Sequence, residues 1–171
     1  MIAAAAGAVC ACSLNLDAVS GASTKESPAA AEASENALSE AIKADPKGPE
    51  PYLKRGLFYL SRERHEHAVA DFSSALGLSA RQPAALAGRA ESYLALRKDW
   101  EAAADLDEAV RIEPDNRQAW ILRGQAYERL GDLNRALGSY GQALHLNPAD
   151  EEVLNNFKRL GGVEGRNYSP F

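Results

Sequence analysis

The chain repeats itself every 34 residues, and no other feature restricts its fold as strongly. Gly124, with Tyr127 three residues on, is matched by Ala90 with Tyr93 and by Gly56 with Tyr59. Ala136, Ala102 and Ala68 fall in step, as do Tyr140, Leu106 and Phe72, and then Ala143, Ala109 and Ala75. Pro148 and Pro114 match, with Ala80 in the first unit. Three units follow, at 49–82, 83–116 and 117–150. A unit of this length cannot bury an apolar face by itself, so the units must stack.

Each unit reads as two antiparallel helices, A and B. In the third, helix A runs from about Asn116 to Leu130 and helix B from about Leu133 to Leu146. Gly131 is the C-cap candidate between them, and Pro148 stops the chain before the next unit. The first unit has "RERHE" where the third has its Gly-Asp turn. Gly124 inside a helix costs about 1 kcal/mol relative to alanine. It is therefore read as a close-approach position, with Ala136 or Ala143 facing it; Ala90 implies that small size is required and glycine is not. Arg55, Arg89 and Arg123 form one ladder, and Asp71 and Asp105 another, with Ser139 in the third unit. Pairing within a unit leaves Arg123 without its carboxylate, whereas pairing to the next unit leaves Arg55 as the odd one; an anion-binding ladder is the sharper alternative.

The period and its matched positions resemble the tetratricopeptide repeat, in which a large residue, Leu-Gly, Tyr, Ala, an aromatic, Ala and Pro recur. The large residue here is Tyr52, Leu86 and Trp120, and the pattern positions include Gly56, Tyr59, Ala68, Ala90, Tyr93, Ala102, Gly124, Tyr127 and Ala136. Arginine replaces the leucine before the glycine, which is similar to many bacterial members. The resemblance implies an all-α fold: a right-handed α-solenoid of three 34-residue helix-turn-helix repeats. A domain over 28–161 is expected, with an extra N-terminal helix at about 28–44 and a capping helix at about 151–161, where Asp150 is a candidate N-cap and Gly161 a candidate C-cap. Residues 162–171 read as a mobile tail.

The resemblance also implies that helix A lines a concave groove. The residues placed there are Glu50, Leu53, Leu57 and Leu60 in the first unit, Ala84, Ala87, Glu91 and Leu94 in the second, and Gln118, Ile121, Gln125 and Glu128 in the third. Leu53, Leu57 and Leu60 share one helix face by spacing alone, apart from the face of Tyr52, Gly56 and Tyr59. Either a partner or the chain's own N-terminal part covers those leucines. The expected partner is a protein or peptide: an extended segment or amphipathic helix with apolar anchors and basic residues at one end. Some family members clamp the C-terminal carboxylate of large chaperones with Lys, Asn and Arg; Leu53, Leu57, Gln118 and Leu122 stand at those positions, so that clamp is not expected.

Residues 2–11 are apolar and small, and "VCAC" resembles a bacterial lipobox, with Cys12 as the lipidation candidate. Residues 1–12 thus read as a signal or lipobox-like segment and 13–27 as a flexible tether. This points to the periplasm or cell envelope, with a lipid anchor to a membrane; the alternative is the Ala-rich start of a cytoplasmic protein. No run of 18 apolar residues exists, so no ordinary membrane-spanning helix is expected. Cys10 and Cys12 are the only cysteines, so the repeats hold neither a disulfide nor a cysteine zinc site. A net charge of −5 argues against nucleic acid. His65 and His67, two apart, do not share a helix face and read as a solvated turn. No cofactor, metal or catalytic motif is found. The expected function is a non-catalytic interaction scaffold, as an envelope-anchored adaptor of a larger assembly. The alternative is a cytosolic structural or regulatory protein acting through self-association.

Overall fold

A computed structural model of the protein describes residues 28–163. Their order is α1 (Pro28–Ala44), α2 (Pro49–Leu60), α3 (His65–Leu78), α4 (Pro83–Ala95), α5 (Asp99–Ile112), α6 (Arg117–Arg129), α7 (Leu133–Leu146) and α8 (Glu151–Arg159). No strand occurs among the described residues. Cys10, Cys12, the tether and residues 164–171 lie outside them.

Local chemistry sets the helix ends. Proline opens α2 and α4, where its missing N–H costs nothing. Side chains of Asn116, Asp132 and Asp150 accept hydrogen bonds from the amides of Ala119, Arg135 and Val153, capping α6, α7 and α8. Each A–B turn places one residue at positive φ: Glu63 at 57°, Arg97 at 61° and Gly131 at 79°. The three lie 34 residues apart, so the first two units make the glycine turn without glycine. Gly161, at 95°, ends α8.

Pairs α2–α3, α4–α5 and α6–α7 form the repeats, and each B helix packs on the next A helix. Successive A helices also touch, α2 on α4 and α4 on α6, whereas no B helix makes a comparable contact with the next. One layer is therefore tight and the other splayed. The stack is an α-solenoid that curves around its A helices, as the repeat implied.

The core runs through Tyr59, Phe72, Leu86, Leu106, Leu122, Tyr127, Tyr140, Leu144 and Phe157, with fully buried alanines between them. What lies nearest Gly124 is the ring of Tyr140, ahead of Ala136 and Ala143. A Cβ there would come within 2.6 Å of the Tyr140 ring, because the aromatic side chain crosses from α7 onto the α6 backbone. Phe72 is held the same way from both sides: a Cβ at Gly56 would meet its ring at 2.7 Å and one at Gly88 at 2.5 Å. At the equivalent positions of the second unit the narrower Leu106 replaces the aromatic residue, and Ala90 has no exposed surface.

The arginine ladder pairs within the unit, and Arg123, which lacks the ladder carboxylate, takes another. Arg55 forks onto Asp71 at 2.7 and 2.8 Å, and its third nitrogen donates to Ser39 of the preceding helix at 3.1 Å. Arg89 repeats this with Asp105 and Ser73. Arg123 instead takes its carboxylate from the preceding unit, Asp107 at 2.7 Å, and its hydroxyl from its own unit, Ser139 at 2.8 Å. Aspartate and serine have exchanged places around a constant guanidinium. The arginines are thus committed to structural pairs, and the anion-binding alternative is set aside.

Candidate functional site

α2, α4 and α6 present one wall, and equivalent side chains form rows across it at 34-residue steps. The first row is Glu50, Ala84 and Gln118, all exposed. The second, Leu53, Ala87 and Ile121, is apolar and half-buried. The third is Leu57, Glu91 and Gln125. Leu57 keeps 44% of its surface exposed, while Leu53 and Leu60 pack partly onto the core. The fourth row is Leu60, Leu94 and Glu128, in which Leu94 retains only 5% exposure and belongs to the core. Leu122 is also buried, so it offers no side chain to the wall.

The leucines are not covered by α1. That helix meets α2 through Ser39 on Arg55 and through Glu35, which accepts hydrogen bonds from the Tyr59 hydroxyl at 2.8 Å and Arg64 at 2.6 Å. At about 100° per residue, Arg55 and Tyr59 lie on the side of α2 roughly opposite Leu53 and Leu57. The hydrogen bond from Tyr59, supported by Arg64, holds the Glu35 carboxyl below the usual range. Burial, and then the Glu35 carboxylate, push the Tyr59 hydroxyl up.

At its far end the wall becomes polar. A cleft of about 230 Å³ is lined by Gln125, Glu128, Arg129, Tyr140, Asn156 and Arg159. Glu128 accepts from the Tyr140 hydroxyl at 3.1 Å and pairs with Arg159 of α8 at 2.8 Å. Burial and the neighbouring Glu128 carboxylate raise the Tyr140 pKa well above that of a free phenol. Arg129 donates to the Leu94 carbonyl at 2.6 Å, tying α6 to the end of α4. Sequence spacing reaches Glu128 and Gln125 but not Arg159 and Tyr140, which arrive from α8 and α7 and share no helical period with them.

Charge along the wall is largely matched. Glu50 has Lys54 at 3.7 Å, Glu128 has Arg159, and Arg117 pairs with Asp150. Glu91 is exposed, and its side chain forms no ion pair or hydrogen bond among the described residues.

The histidines do not converge. His65 opens α3, His67 is exposed with its ring 5.1 Å from that of Tyr59, and His145 is exposed on α7. No group of His, Cys, Asp or Glu suited to a metal ion is present among the described residues. No described helix is long and apolar enough to cross a membrane.

Among known proteins, tetratricopeptide repeat models match residues 30–85 and 117–150, together just over half of the chain. The first match begins inside α1. The fission yeast (Schizosaccharomyces pombe) heat shock protein sti1 homolog is 26% identical over 110 residues, 64% of this chain and 19% of its own length. Human tetratricopeptide repeat protein 16 is 29% identical over 126 residues, 67% of this chain and 14% of its own. The chain thus spans less than a fifth of these relatives. A MamA crystal structure superposes with a TM-score of 0.74 over 77% of both chains at 17% identity. The first such domain of Spaghetti (RPAP3), solved with the HSP90 peptide SRMEEVD, gives 0.64 at 23% identity over 68% of this chain and 92% of that one. Repeat matches, helix order and wall agree, and the chain belongs to the tetratricopeptide repeat family.

Proposed function

We propose that the wall of α2, α4 and α6 binds a peptide segment of another protein, so that the chain acts as a non-catalytic scaffold. The observation that carries this is Leu57, 44% exposed beside Leu53 on the inner layer of the solenoid. An apolar side chain left open there, with α1 on the opposite side of α2, is a docking feature. The peptide complex of the RPAP3 domain supports the reading for the fold in general. Leu53 and Leu57 stand in place of the polar clamp residues, so a chaperone-type carboxylate is not the ligand read here. Affinity capture with the unaltered chain and with Leu53→Glu and Leu57→Glu tests it. Loss of the captured partners in both variants is expected; an unchanged set contradicts the groove.

In this reading the scaffold is an adaptor held at the cell envelope through lipidated Cys12, supported by the small apolar residues before that cysteine. Mass spectrometry of native protein decides: a chain beginning at acylated Cys12 is expected, and an intact Met1 on soluble protein contradicts it. Self-association is favoured by a different observation, Trp100 at 71% exposure. Sedimentation of Trp100→Glu beside the unaltered chain separates the two, since only a self-associating chain loses mass in the variant.

A further inference from the structure

We propose, resting on the groove reading above, that Glu91 fixes the sign of the partner: the bound segment carries a lysine or arginine over Glu91, next to an apolar anchor on Leu57. Glu91 occupies the middle of the row Leu57, Glu91, Gln125. The other wall carboxylates are answered from within the chain, Glu50 by Lys54 and Glu128 by Arg159. Glu91 alone on the wall is exposed and unanswered. The nearby cations are committed, Arg129 to the Leu94 carbonyl and to Asp99 at 3.4 Å, Arg117 to Asp150 and Arg159 to Glu128. An acidic segment would therefore find no free positive charge and one free negative one. A basic segment finds the reverse.

The shape agrees with the charge. α4 offers the wall only Ala84 and Ala87 beside Glu91, with Leu53 and Leu57 on one flank and Ile121 on the other. A long basic side chain can lay its methylenes over Ala87 and Leu57 and keep its charge at the carboxylate. Leu57 and Glu91 stand at equivalent positions of successive A helices that touch, and packed helices lie about 8–10 Å apart. An extended chain covers that distance in about three residues at roughly 3.3 Å each. The recognised pattern is thus an apolar residue with a lysine or arginine about three positions away.

The test selects binders from a random 12-residue peptide display library on the full chain, then measures them against Glu91→Gln, Glu91→Lys and Leu57→Glu. Glu91 is exposed, so its variants keep the fold, which circular dichroism verifies. Selected peptides are expected to be enriched in that pattern. Glu91→Gln should weaken them about two- to fivefold, as an exposed pair allows, and Glu91→Lys about tenfold or more, with the loss shrinking at high salt. Peptides that depend on Leu57 but lack basic residues, or bind both Glu91 variants as well as the unaltered chain, overturn this inference and leave the groove standing. Failure to select any peptide, or binding indifferent to Leu57→Glu, overturns both.

Discussion

At the turn between the helices of each unit one residue must adopt a positive φ, and only the third unit spends a glycine on it. A side chain in that left-handed region costs about 1–2 kcal/mol, offset in part by the larger entropy glycine loses on folding. Glu63→Gly and Arg97→Gly should each stabilise the chain by about 0.5–1 kcal/mol, and Gly131→Ala should cost about 1 kcal/mol, all measurable by denaturant unfolding. Inside the helices glycine has another purpose. Gly124→Ala drives a Cβ to within 2.6 Å of the Tyr140 ring and should cost about 1–3 kcal/mol. Adding Tyr140→Leu recreates the second unit's pair, Ala90 with Leu106. A double-mutant cycle should then show favourable coupling of about 1 kcal/mol or more; simple additivity would mean the ring is not what keeps position 124 bare.

At the scale of elements, the guanidinium ladder joins each A helix to the B helices on both sides. Asp105 is largely sheltered and grips Arg89 with both oxygens, so Asp105→Ala should cost about 2–3 kcal/mol. Asp107 is half open to water, and Asp107→Ser should cost only about 1 kcal/mol. Adding Ser139→Asp restores the arrangement of the first two units and should return most of that loss, read again by unfolding. The exchange of Asp and Ser could not be read from spacing, because the sequence gives which residue types recur but not that one arginine reaches two helices. The caps at Gly131, Asp150 and Gly161 were legible, since these residues carry the chemistry of helix ends in themselves. The partner of Gly124 was not, because Tyr140 approaches it from another helix at a distance no period encodes. Helix α1 depends on polar contacts, with no fully buried residue. Glu35 titrates below its usual range in the fold, so its contribution is complete above about pH 4.3 and disappears as pH falls through the lowered value. Amide exchange should show α1 losing protection in acid before α4 and α6, and Glu35→Gln should remove that pH dependence.

For the whole molecule, curvature links fold to function. A helices touch their successors and B helices make no comparable contact, so the stack has an inner face, and that face holds the exposed Leu57 and the unanswered Glu91. The solenoid itself was legible in the 34-residue period, since only stacking can bury what each unit leaves open. Which wall residues keep their surface was less so: Leu94 shares its repeat position with Leu60 and Glu128 yet is in the core. Amide chemical-shift mapping of the isotope-labelled chain with a library-selected peptide addresses the binding face directly. Perturbations should concentrate on α2, α4 and α6 around Leu53, Leu57, Ala87, Glu91 and Ile121. A footprint on the outer faces of α3, α5 and α7, with the inner wall unmoved, would contradict it.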